Sequence, residues 1–140
     1  MIQELFKIAM NLPQLPGGAR ALHDVFVEAL ILHGWDVVTE DACEYVTGKG
    51  RECTGRIDVI ATKGLMTVAV ELDNVRPRKG SLAKLSNCKI KHKVVLLRQH
   101  DGKMRRKNGI WWIPLGWKPS RVLARSYMKA YFQPKKSSFM

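Results

Sequence analysis

Apolar positions along the chain follow two rhythms. Near the N-terminus they recur at helical spacing: Ile2, Leu5, Phe6 and Ala9 share one side of a short helix within residues 1–12. Pro13 and Pro16-Gly17-Gly18 end it, so residues 1–18 read as a helix and linker. Residues 19–33 repeat the pattern with Leu22, Val25, Phe26, Ala29 and Leu30, and Gly34 supplies a C-terminal stop. From Trp35 the period shortens to two. A strand begins at 35–39, with 42–46 continuing it or forming its bent partner, and Gly48-Lys49-Gly50 is a hairpin turn.

Two further strands flank Lys63-Gly64, which predicts an antiparallel pair. A short helix follows over 81–87 with Ser81 as its N-cap. Residues 93–97 read as a buried strand, parallel to an earlier one because a helix intervenes. Residues 101–107 form a basic turn, Asn108-Gly109 a second turn, and 110–115 a last strand. Residues 120–132 make a basic helix with Arg121, Arg125 and Lys129 along one face, before a basic tail at 134–140. This order predicts one α/β domain over residues 1–140, with a mixed central sheet flanked by helices.

Each strand of the pair around Lys63-Gly64 carries a carboxylate where an apolar residue is expected. Alternation puts Arg56, Asp58 and Ile60 on one face, against Ile57 and Val59. In the next strand Ala69, Glu71 and Asp73 share a face, opposed by Val68, Val70 and Leu72. Antiparallel pairing brings Asp58 close to Glu71. Two such carboxylates repel unless one is protonated or a cation sits between them. With a divalent ion they become an oxygen-ligand site of the kind Mg²⁺ favours. The competing reading is a solvated edge, salt-bridged to Arg56, Lys63 or Arg76.

Composition narrows the choice. At 140 residues, with 46% hydrophobic residues and four Trp, the chain is long and apolar enough for one core. No apolar run reaches bilayer length, and the N-terminus lacks signal-peptide features, so a cytoplasmic protein without a membrane partner is expected. Cys43, Cys53 and Cys88 are scattered, and the four histidines, His23, His33, His92 and His100, lack metal-site spacing. The net charge of +12 is the footprint of a polyanion binder, most often of nucleic acid, and by itself does not separate DNA from RNA. Trp111 and Trp112 read as packing or dimer contacts before base-stacking groups.

Asp58, a hairpin, then Glu71-Leu72-Asp73 resembles the metal-binding signature of the PD-(D/E)xK nuclease superfamily, which has the restriction-endonuclease-like fold. The resemblance covers roughly residues 20 to 115. It implies a phosphodiester hydrolase using Mg²⁺ or Mn²⁺, held by Asp58, Glu71 and the backbone carbonyl of Leu72. Glu28 matches the Glu that members carry on the first core helix, aimed at the metal. The family most often has Lys where this chain has Asp73. Lys84, with Lys79 second, is then the migrated lysine, and Asp73 is expected to bind a second metal or orient water. Arg76, Arg78, Lys79, Arg105 and Arg106 are expected to hold a DNA backbone with little sequence preference. The small size is similar to phage or mobile-element nucleases, which act in the host cytoplasm, and to Holliday-junction resolvases of the same superfamily. Several of these are dimers, so a homodimer is an expectation. The alternative function is a non-catalytic nucleic-acid-binding module, to which the missing lysine at position 73 points.

Overall fold

The structure is a computed structural model that describes residues 2–12, 18–98 and 103–114. The expected strand end at Leu115, the helix over 120–132 and the tail at 134–140 lie outside the described residues.

Helix α1 spans Ile2–Met10 and α2 spans Gly18–Leu32. The strands are β1 (Asp36–Val46), β2 (Glu52–Lys63), β3 (Met66–Asp73), β4 (His92–Leu97), β5 (Arg105–Lys107) and β6 (Ile110–Pro114), with α3 (Lys79–Asn87) between β3 and β4. They form one six-stranded sheet in the order β1-β2-β3-β4-β6-β5. The first three strands meander antiparallel, whereas β3, β4 and β6 run parallel and β5 closes the far edge antiparallel to β6. The parallel step from β3 to β4 requires a crossover, and α3 supplies it. An α/β domain with a mixed sheet flanked by helices is therefore observed.

Each face of the sheet has its own core. Leu5, Phe6, Leu22, Phe26 and Leu30 of α1 and α2 pack on Val59, Ala61, Val68, Val70, Val94 and Leu96. On the other face Leu85 of α3 packs with Ile57, Ala69, Val95, Leu97 and Ile110. The helical stripes read from the sequence account for the α1 and α2 residues, and the strand alternation for the opposite placement of Val68 and Val70 against Ala69.

One place breaks the alternation. Ile57 and Val59 were expected on one face, yet Ile57 packs with α3 and Val59 with α1 and α2. In the partner strand Val37 and Cys43 are divided the same way. The hairpin turns over between these residues, at Asp58 and the residue beside it, Glu40. Glu40 holds a left-handed backbone (φ 56°) between the pairs Thr39↔Val59 and Asp41↔Ile57. A non-glycine residue with that φ is unusual and re-aims the strand on either side of it. Beyond the kink, β1 and β2 lean over α3, where Asn87 Nδ2 donates to the Val46 carbonyl at 3.3 Å.

Two other expectations are corrected. Helix α3 begins at Lys79, with Arg78 as an N-cap that makes no side-chain capping bond, so Ser81 is not the cap but a buried residue of the first turn. The Asp73 carboxylate reaches back to the Arg78 N–H and stops the chain there instead. The basic stretch around residue 105 is not wholly a turn: Arg105–Lys107 is an edge strand, joined to β6 through Asn108 and Gly109 at φ 52° and 77°. Two left-handed residues make the tight turn whose twist suits a hairpin.

Helix α1 is fastened to the β2–β3 turn by a polar clasp. Lys63 Nζ donates to Glu4 Oε1 and to the His33 carbonyl, each at 2.6 Å, and Trp35 Nε1 donates to the same Glu4 oxygen at 3.0 Å. Burial raises the Glu4 pKa, but the Lys63 and Trp35 bonds outweigh it and leave the carboxyl below its ordinary value. Lys63→Met should lower stability by about 1–2 kcal/mol, less than the full worth of hydrogen bonds to charged groups because the pair is partly exposed to solvent. Urea unfolding followed by circular dichroism checks this, and an unchanged midpoint would show that the clasp contributes nothing.

Candidate active site

Strands β2 and β3 pair from Lys63↔Met66 to Val59↔Val70. The next opposed residues are Asp58 and Glu71, and here the strands part. Their side chains take over from the ladder. Glu71 Oε2 accepts the Asp58 N–H at 2.8 Å, and Asp58 Oδ2 accepts the Leu72 N–H at 2.8 Å. A carboxylate only accepts, so it can stand in for the missing backbone carbonyls at the mouth of a fork. The two acids named from the sequence therefore meet.

Glu71 is fully buried, on the face covered by α3. Lys84, from the second turn of α3, is its ion-pair partner through Oε1 and also donates to the Arg56 carbonyl at 2.8 Å. Burial is the main reason the Glu71 pKa rises from 4.5 to about 7, with the negative charge of Asp58 adding to the rise and Lys84 opposing it. Lys84 reaches Glu71 past Gly55. A Cβ there would stand 3.0 Å from the Tyr45 ring and 3.2 Å from Lys84 Cδ, so glycine leaves the lysine its path. A lone glycine inside a strand pattern is the signal that could have pointed to such close approach, and the sequence reading did not use it.

Asp73 is placed differently from its expected role. Arg78 Nε donates to its Oδ1 at 2.6 Å and the Arg78 N–H to its Oδ2 at 3.0 Å. Both oxygens thus brace the loop after β3, where a ligand or water-orienting role had been expected. Glu28 is not brought to the fork either. It is exposed, and the α2 residue that reaches Asp58 is His23, whose Nε2 donates to the Asp58 carbonyl at 3.3 Å. Five residues separate the two, which turns Glu28 about 140° around the helix from His23. Isolated in the sequence, His23 gave no sign of this contact, which depends on how α2 crosses the sheet.

Beside the fork an open cleft of about 550 Å³ is lined by Leu72, Asp73, Asn74, Val75, Arg76 and Arg78. Arg76 and Lys79 are exposed there, and Arg78 stays 69% exposed despite its bond to Asp73. Bonding to Asp73 holds the Arg78 pKa above its ordinary value. Arg105 and Arg106 lie apart from this loop, on β5.

The donor set at the fork is two carboxylates. No group of three or more His, Cys, Asp and Glu side chains suited to a metal stands together among the described residues. Asp58 Oδ1 accepts no bond among the described residues, and Glu71 Oε1 holds only its ion pair. Two hard oxygens with open valence fit Mg²⁺ or Mn²⁺, which commonly take one or two carboxylates and fill the remaining positions with water and phosphate. Neither the protein-family models nor the curated proteins compared with the chain give a match.

The raised Glu71 pKa fixes a sign. Between about 4.5 and about 7 the folded chain holds a proton that the unfolded chain has released, so stability falls as pH rises through that window. Measured against Glu71→Gln, the wild-type protein should lose roughly 2–3 kcal/mol across it. Urea titrations of both proteins at several pH values test this. A constant difference would show that Glu71 is already ionised in acid.

Proposed function

We propose that the chain is a divalent-metal-dependent DNA endonuclease of the PD-(D/E)xK type, built on the restriction-endonuclease-like fold. The observation that carries this reading is the meeting of Asp58 and Glu71 where two strands part, with a lysine from the following helix paired to the second acid. Asp58 Oδ1 and Glu71 Oε1 would hold the ion. The Leu72 N–H faces Asp58, and a strand residue presents its carbonyl toward the same neighbour as its N–H, so the Leu72 carbonyl would be the third donor.

A divalent ion, when bound, makes coordinated water a stronger nucleophile and offsets charge on the phosphorane. The protein's own groups do the rest. Glu71 must be ionised to act as a ligand, so with its raised pKa it would have to give up a proton near neutral pH to do so. Lys84 already faces that oxygen, and once an ion compensates Glu71 its ammonium is available to the phosphate and the developing negative charge. His23 holds the Asp58 main chain in place. Arg76, Arg78 and Lys79 line or flank the cleft beside the fork, where a phosphate would lie, and contact the backbone without reading bases.

A second reading, a nucleic-acid-binding module without catalysis, draws on the engagement of Asp73 with Arg78 and the absence of a third side-chain ligand among the described residues. Labelled duplex, junction and RNA substrates incubated with Mg²⁺, Mn²⁺ or EDTA separate the two. The nuclease reading expects metal-dependent cutting that falls by about 10²–10³-fold or more in Asp58→Ala and Glu71→Ala. DNA binding should persist in both variants. Lys84→Met should slow cutting with little change in affinity. Salt-sensitive binding with no cleavage under any metal would leave only the module.

A further inference from the structure

The basic far edge of the sheet is the second place where the structure arranges charge. Arg105, Arg106 and Lys107 form β5, the edge strand on that side of the sheet. Alternation sends Arg106 to one face and Arg105 and Lys107 to the other, so positive charge straddles the edge. Two of these cations are held over indoles. The Arg106 guanidinium lies 5.2 Å from the centre of the Trp111 ring, and Lys107 Nζ lies 4.7 Å from that of Trp112. Among the described residues neither is paired with a carboxylate.

The same contacts decide what these tryptophans can do. Trp111 also packs against Phe6, with ring centres 5.2 Å apart and planes tilted by 59°. Both tryptophans are half-buried. With a cation over each ring and the core packed against it, these indoles are poorly placed as a single-strand stacking platform, which needs an open face. Cations ordered by indoles, in contrast, lose little side-chain entropy when they bind an anion.

Register relates this edge to the fork. Glu71 pairs with Val95, Val95 with Trp112, and Trp112 with Arg105, so the edge lies level with the carboxylates. Three strand spacings separate them, about 14 Å. A duplex lying across the sheet covers that in about four base pairs.

We propose that the β5–β6 hairpin is a second nucleic-acid contact that grips a sugar-phosphate backbone with Arg106 and Lys107, blind to base identity, about four base pairs from the carboxylate fork. It rests on the nucleic-acid reading above but not on catalysis. Its occupant is a nucleic acid because two neighbouring exposed cations, Arg106 and Lys107, with no carboxylate partner among the described residues, complement repeated phosphates, and indoles lying under cations favour backbone contact over stacking.

Binding is measured in EDTA, so that no cleavage intervenes, on two short duplexes of unrelated sequence and on a strand whose bases are replaced by abasic sites. In Arg106→Gln/Lys107→Gln, the slope of log affinity against log salt should become shallower by about two on both duplexes, one phosphate contact per cation. Affinity for the abasic strand should fall as it does for its base-bearing counterpart. Each single variant should shift the slope by about one, which serves if the double variant does not fold by circular dichroism. An unchanged slope overturns the clamp, and a loss confined to base-bearing strands overturns it in favour of stacking. Failure of metal-dependent cutting in the earlier assay leaves this result untouched, so the two readings fail separately.

Discussion

Two main-chain N–H groups, those of Asp58 and Leu72, are bonded to carboxylate oxygens where an antiparallel ladder would offer carbonyls. That exchange holds β2 and β3 together at the point where they diverge. Bonds from N–H to a carboxylate contribute more than neutral ones, on the order of 1.5–3 kcal/mol each. They are opposed by burial of Glu71, which is why Lys84 must reach it and why Gly55 must leave the way open. The kink at Glu40, the lean of the β1–β2 hairpin over α3 and the position of Lys84 all surround this fork. The proposed chemistry and the fold use the same atoms here. A group that draws one of these oxygens away acts on the architecture as well as on the site.

Charge is distributed unevenly around that centre. Asp36, Glu40, Asp41 and Glu44 lie exposed along β1, with Glu52 exposed at the start of β2, although the whole chain carries +12. An acidic outer strand is poorly suited to pairing with a copy of itself, because like charges face one another across the seam. It also repels a polyanion. The cations of the loop after β3 and of β5 lie on the other side of the fork from this strand, so the electrostatic field favours approach there.

Much of the architecture was legible because period and turn chemistry are local. The stripes of α1 and α2, the strands around Lys63-Gly64, the parallel strand after α3 and the Asn108-Gly109 turn were all read from spacing and composition. Asp58 and Glu71 were found as acids interrupting apolar runs, and Lys84 as a lysine on the next helix. Other placements depended on contacts that spacing along the chain does not show. Ser81 has the chemistry of a helix cap, and Asp73 that of a metal ligand. Arg78 competes for both roles, by starting the helix two residues early and by binding both Asp73 oxygens. Likewise Glu28 and His23 are indistinguishable as site candidates until the rotation of α2 on the sheet is known.

The sequence by itself determined the kinds of element, their order, the two carboxylates and a strongly cationic surface, since each depends on neighbours within a few positions along the chain. Only the tertiary structure decided which face of β2 each residue joins and which oxygens are already spoken for. It also decided that the tryptophans of β6 lie under cations. Those outcomes depend on contacts between residues tens of positions apart, where a single left-handed residue or one arginine's bonds change which atoms meet.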